Sequence, residues 1–218
     1  MTPLRDLLDV DSRWLRVGLQ AGSGLIVAVL LFAVGWTWYR SQEARGMAAF
    51  ADASSLVDQA EAPQADPEAR QRAVTALEAL IAAHPRLSAI PQAAYELGNL
   101  KYRSGQLAQA RAAYELALAR GASGSVKALA QMGVGYTWEA EKNYGNAARA
   151  FEAAGKGLSA KDFMYEEALM AQARALDLAG KSGAALDIYQ RLAREQPQGR
   201  YADELRNRIA SLKTRTSP

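Results

Sequence analysis

A chain of 218 residues that is half hydrophobic, only 8% aromatic and free of cysteine has room for one domain plus an appendage, and excludes disulfides and thiolate zinc sites. Its net charge of +3 is spread as alternating signs along the chain rather than gathered in a basic block, which argues against nucleic-acid binding. Alanine is the best helix former and is abundant, whereas β-branched residues are scarce beyond residue 34; an all-α protein is expected.

Residues 1–16 are a short polar stub in which Arg5, Arg13 and Arg16 are balanced by Asp6, Asp9 and Asp11. From 17 to 39 no charged residue occurs, and only Gln20, Ser23 and Thr37 are notably polar. As a helix this stretch is about 34 Å long at ~1.5 Å per residue, enough for a hydrocarbon core of ~30 Å. Trp14 flanks one end and Trp36, Trp38 and Tyr39 the other, with Arg16 and Arg40 placed to reach headgroups. A single transmembrane anchor is expected. A cleaved signal peptide fits less well, because the apolar run exceeds the ~7–15 residues of a signal core and Arg40, Glu43 and Arg45 separate it from the small residues that follow. A core helix of this length would carry charge on one face. The short stub and the slight excess of arginine before the span favour a cytoplasmic N-terminus and a translocated C-terminal domain. Gly18 and Gly22 form a G-x-x-x-G spacing that would allow a homodimer through the anchor.

Residues 40–66 read as a membrane-proximal helix and linker. The sequence Ala62-Pro63-Gln64-Ala65-Asp66-Pro67 breaks that helix, with Asp66 as N-cap and Pro67 at the first position of the next. Self-similarity then dominates. Ala110 with Tyr114 and Ala117 recurs as Ala147 with Phe151 and Ala154, and as Ala185 with Tyr189 and Leu192. The alanines are spaced 37 and 38 residues apart, slightly above the ~34 of the standard helix-turn-helix repeat. A companion helix carries Leu97-Gly98, then Val134-Gly135, then Gln172-Ala173, and turns fall at Ser104-Gly105, Lys142-Asn143 and Gly180-Lys181. An incomplete copy with Ala73, Leu77, Leu80 and Pro85 comes first, and a last helix with Tyr201, Leu205, Ile209 and Leu212 on one face caps the array.

These residues resemble the tetratricopeptide repeat family over about 73–212. The fold class expected is therefore one N-terminal transmembrane helix followed by a tetratricopeptide-like α-solenoid over 67–213. The whole layout is similar to the YfgM-type ancillary subunits of the bacterial SecYEG translocon. That resemblance implies an inner-membrane protein with periplasmic repeats, whose partners are translocon subunits or periplasmic chaperones.

In the repeat family, one face of each first helix lines the binding groove. Carried onto this chain, that face offers Gln92, Tyr95, Asn99, Tyr102 and Arg103, then Leu129, Met132, Tyr136, Glu139 and Ala140, then Glu167, Met170, Arg174, Asp177 and Leu178. Tyrosine gives contact area with a hydrogen-bonding tip and methionine adapts its shape, which suits a peptide. Asn99 stands opposite Tyr136 and Arg174, so a clamp for a terminal carboxylate is not expected. The alternative role for these side chains is packing of repeat against repeat.

No catalytic constellation, cofactor site or metal site is read. His84 stands at a helix end without partners, Glu139, Glu141, Glu166 and Glu167 read as helix faces, and Gly133-Val134-Gly135 lies inside a helix pattern rather than in a phosphate loop. A protein-binding scaffold in export or periplasmic chaperone traffic is the leading expectation. The alternative is a structural or assembly subunit of a division or secretion machine.

Overall fold

The computed structural model describes residues 12–63 and 65–216, and the side chains of 22, 24–63 and 65–215. The expectations for residues 1–11, and for the side chains of Arg13, Trp14 and Arg16, lie outside the described residues. Among these, nine helices and no strand occur: α1 Ser12–Glu61, α2 Pro67–Ala83, α3 Ile90–Arg103, α4 Leu107–Ala119, α5 Gly124–Ala140, α6 Tyr144–Gly155, α7 Tyr165–Leu178, α8 Ser182–Glu195 and α9 Ala202–Thr216. The chain divides into two compact units, Met1–Met47 and Ala48–Pro218.

In the first unit, every large apolar side chain from Leu25 to Tyr39 is more than half exposed, Phe32 the most at 71%. A helix of a soluble core would bury one face, and this stretch buries none. Phe32 stacks on Trp36, Trp36 leans on Tyr39, and Thr37 Oγ1 donates to the Val34 carbonyl, so its one polar group is satisfied within the helix. α1 is long and apolar enough to cross a membrane.

The second unit is a tetratricopeptide-like solenoid of helix pairs. Its core begins within α1, where Ala53, Val57 and Ala60 pack with Ala73, Leu77 and Leu80 of α2 and Leu97 and Leu100 of α3. Asp66 caps α2 by accepting from the Ala69 N–H, and Pro67 occupies the first helical position, where a missing N–H costs nothing. Helices α3/α4, α5/α6 and α7/α8 form the three full pairs.

The turn inside each pair is the same hydrogen-bonded device. Gln106 N–H donates to the Lys101 carbonyl, Asn143 to Trp138 and Lys181 to Leu176, the closing bond of a left-handed helix end. The residue that must take positive φ is Gly105 (74°), Lys142 (61°) and Gly180 (79°) in turn. Glycine does this without strain; Lys142 does not.

Each pair is locked by one aromatic ring from its second helix, namely Tyr114, Phe151 and Tyr189, all nearly fully buried. A Cβ at Gly98 would lie 2.5 Å from the Tyr114 ring, and one at Gly133 would lie 2.6 Å from its other side. Tyr114 is thus wedged between α3 and α5, and only hydrogen at both positions lets the helices approach. Gly135 makes the same allowance for Phe151. In the third pair fully buried Ala173 stands at the corresponding position against Tyr189.

The extra residues of the long repeats are accommodated in two ways. α5 has 17 residues where α3 has 14. Before α7 the insertion is instead the loop 156–164, held by Asp162, which accepts from the Ser159 N–H and hydroxyl. α9 closes the array by burying Leu205 and Leu212 beside Tyr189 and Leu192.

Candidate partner-binding groove

The first helices α3, α5 and α7 lie side by side, and their shared face carries a groove of about 220 Å³. Tyr95, Asn99 and Tyr102 come from α3, Leu129, Met132, Gly133 and Tyr136 from α5, and Met164 and Glu167 from the start of α7, while Tyr114 reaches in from α4. Periodicity explains the α3 contribution: residues 95, 99 and 102 share one side of a 3.6-residue helix. Tyr114 arrives because its ring passes between Gly98 and Gly133, which leaves its hydroxyl 2.9 Å from Asn99 Oδ1, to which it donates. Its ring centroid is 6.0 Å from that of Tyr95. Tyr136 donates to Glu167 Oε1 at 2.9 Å and sets its ring edge-on to Phe151 at 5.1 Å.

Burial pushes the Tyr114 phenol far above its ordinary range, with Tyr95 and Tyr102 adding to the effect. Tyr136 rises as far, through burial first and then through its bond to the Glu167 carboxylate. Both are therefore fixed as neutral O–H donors.

Seven of the fifteen residues expected on the groove face gather here: Tyr95, Asn99, Tyr102, Leu129, Met132, Tyr136 and Glu167. Met132 is only 2% exposed, so it floors the groove from the core rather than rising from it. Of the others, Arg103, Glu139, Met170, Arg174 and Asp177 are engaged elsewhere. Arg174 forms two hydrogen bonds to Glu139, Nε to Oε1 at 2.7 Å and Nη2 to Oε2 at 2.9 Å, joining α7 to α5. The Glu139 carboxylate, through that bond, holds the Arg174 guanidinium above its ordinary value. Arg103 pairs with Glu61 at 3.0 Å. Asp177 accepts from Ser182 Oγ and Arg215 Nη2, both at 2.8 Å; burial raises its pKa, but these two bonds together with the charges of Arg215 and Arg208 outweigh it and hold the carboxyl below its ordinary value. Met170 is 5% exposed and packs with Ala173, Tyr189 and Leu192 in the core of the last pair. Met170 thus lies on the side of α7 that packs against α8.

Tyr114, Gly133 and Met164 line the groove without having been expected there. The paired glycines were the available signal for Tyr114, since two small residues on successive first helices mark where a large one must pass. Two wider hollows, about 430 Å³ around Lys127, Lys156 and Phe163 and about 670 Å³ along Leu56, Arg72 and Thr75, include none of the fifteen. Among the described residues no group of three His, Cys, Asp or Glu is placed to hold a metal ion.

No family model matches this sequence, and no curated protein does. Solved structures similar to it include the nearly identical TPR-like repeats attributed to a kinesin light chain of Podosopora anserina, and a single-substitution variant of them. Sequence identity is 15% and 16%, the matches cover 80% and 81% of this chain and 98% and 99% of those chains, and the TM-scores are 0.52 and 0.53. At that identity the likeness shows the fold alone, a TPR-like helical repeat.

Proposed function

We propose that this protein is a membrane-anchored scaffold whose first-helix groove binds a segment of a partner protein in the bacterial envelope. The observation that carries this reading is the hollow itself: three tyrosine rings and an asparagine, half-buried, surround unfilled space where the neighbouring first-helix residues are bonded to one another. Tyr95 and Tyr102 offer rings with hydroxyl tips, and the Asn99 amide nitrogen offers donors for a main-chain carbonyl once its oxygen is held by Tyr114. The fully exposed apolar stretch of α1 supports a single membrane span, and the arginine balance supports a cytoplasmic N-terminus with the repeats in the periplasm. Export or periplasmic chaperone traffic is the setting proposed from the resemblance to YfgM-type subunits, and Gly18 with Gly22 is the proposed contact for a homodimer.

Crosslinking in intact membranes, followed by mass spectrometry, tests this. Translocon subunits or periplasmic chaperones crosslinked near Tyr102 are the expected result. Recovery of only division or secretion-machine subunits would replace the export setting with an assembly role, and crosslinks unaffected by Tyr95→Ala with Tyr102→Ala would remove the groove from the reading.

A further inference from the structure

The groove differs from the rest of its face in how its charge is left. Among the described residues Glu167 is the one formally charged side chain that lines it. Glu167 Oε1 accepts the Tyr136 hydroxyl, and no ion pair to Glu167 occurs among the described residues. The nearest arginine along the face, Arg174, has its guanidinium committed to Glu139, and Arg103 on the other side is committed to Glu61. The carboxylate thus faces a hollow walled by Tyr95, Tyr102, Tyr114 and Tyr136.

Any side chain that fills this space strips water from Glu167. An apolar one would leave the carboxylate with a phenol as its remaining partner, which is costly, and an acidic one would be repelled. A cation would restore the lost solvation, and tyrosine faces attract it through their quadrupoles. A guanidinium does both at once, stacking on rings and donating in a fork to a carboxylate, and so suits the site better than an ammonium. A volume of about 220 Å³ suits one long side chain rather than a docked helix.

We infer that the groove accepts a cationic side chain, arginine in preference to lysine, from an extended segment of the partner protein, held between tyrosine rings and the Glu167 carboxylate. The inference rests on the groove being the partner site.

The test uses the full chain in detergent micelles and three short peptides of Gly, Ser and Ala with a single central arginine, its uncharged isostere citrulline, or glutamate. The arginine peptide is expected to bind about tenfold more tightly than the citrulline peptide, and the glutamate peptide weakest. Glu167→Gln should bring the arginine-to-citrulline ratio close to one while leaving citrulline affinity in place; circular dichroism confirms that the variant stays folded. Equal affinities in the parent protein, a ratio untouched by Glu167→Gln, or no binding of any peptide overturns the inference. If the affinities are equal but Tyr102→Ala weakens all of them, the groove survives and only the choice of cation falls. If Tyr102→Ala changes none of them, the groove reading itself fails.

Discussion

The first-helix face is open where α3, α5 and the start of α7 meet, and closed farther along, where the later turns of α5 and α7 meet. The open half is lined by Tyr95, Asn99, Tyr102 and Tyr136, and the one charged side chain there, Glu167, accepts the Tyr136 hydroxyl but meets no cation among the described residues. The closed half has Glu139 opposite Arg174, and the two bond twice across the gap. A helix face is thus a necessary condition for a binding surface and not a sufficient one. What decides availability is whether the facing residue of the next repeat takes the side chain first.

The largest expected effect comes from closing the open half. Gly133→Val places carbon where the Tyr114 ring now lies and should destabilise the protein by about 3 kcal/mol, read as a fall in the thermal midpoint. The same variant should lose partner capture because Tyr114 must leave the groove wall. Opening the closed half comes next. Arg174→Ala leaves Glu139, whose side chain is 18% exposed, without its cation and should cost about 2 kcal/mol. Pairing it with Glu139→Ala should recover part of that loss, since the orphaned charge goes too. If the double variant were as unstable as the sum of the two singles, the pair would not be the closure described above.

A smaller gain is expected at the turn between α5 and α6. Lys142→Gly gives that repeat the residue its two neighbours use at positive φ and should stabilise it by about 1 kcal/mol in urea unfolding. The smallest effect concerns Glu96 on α3. Burial pushes its carboxyl pKa up, against the bond from Gln92 Nε2 to its Oε1 and with help from the charges of Asp58 and Glu61. The folded state therefore holds the proton more tightly than the unfolded chain. The stability this contributes is present below the ordinary glutamate pKa of ~4.3 and is lost as pH rises through the higher folded value. Glu96→Gln should flatten the pH dependence of the thermal midpoint across that window; an unchanged slope would contradict the assignment.

The helix pairs, their turns and the Asp66 cap were legible in the sequence because they depend on local chemistry. A glycine at a left-handed turn, a proline at a first helical position and an alanine every repeat each act over a few residues. The face of α3 was legible for the same reason. The pairing of that face was not, because Arg174 and Glu139 are 35 residues apart and Asp177 and Arg215 are 38 apart. Periodicity places a side chain on a surface without saying which distant partner meets it there. The surroundings of Met170 were hidden in a related way, since a methionine at the edge of a helix face turns inward or outward according to the neighbouring helix, here α8 with Tyr189 and Leu192.

Tyr114 has a mechanical consequence. A stack of helix pairs behaves as a spring, with stiffness set joint by joint by what is wedged between successive turns. At the joint between the first and second full pairs a single rigid ring fills the gap left by two glycines, and its hydroxyl tip is tied to Asn99 in the groove. A load on the groove at Asn99 is transmitted to the pivot of that joint through one side chain, so tension on a captured segment would be felt as torque between the two repeats.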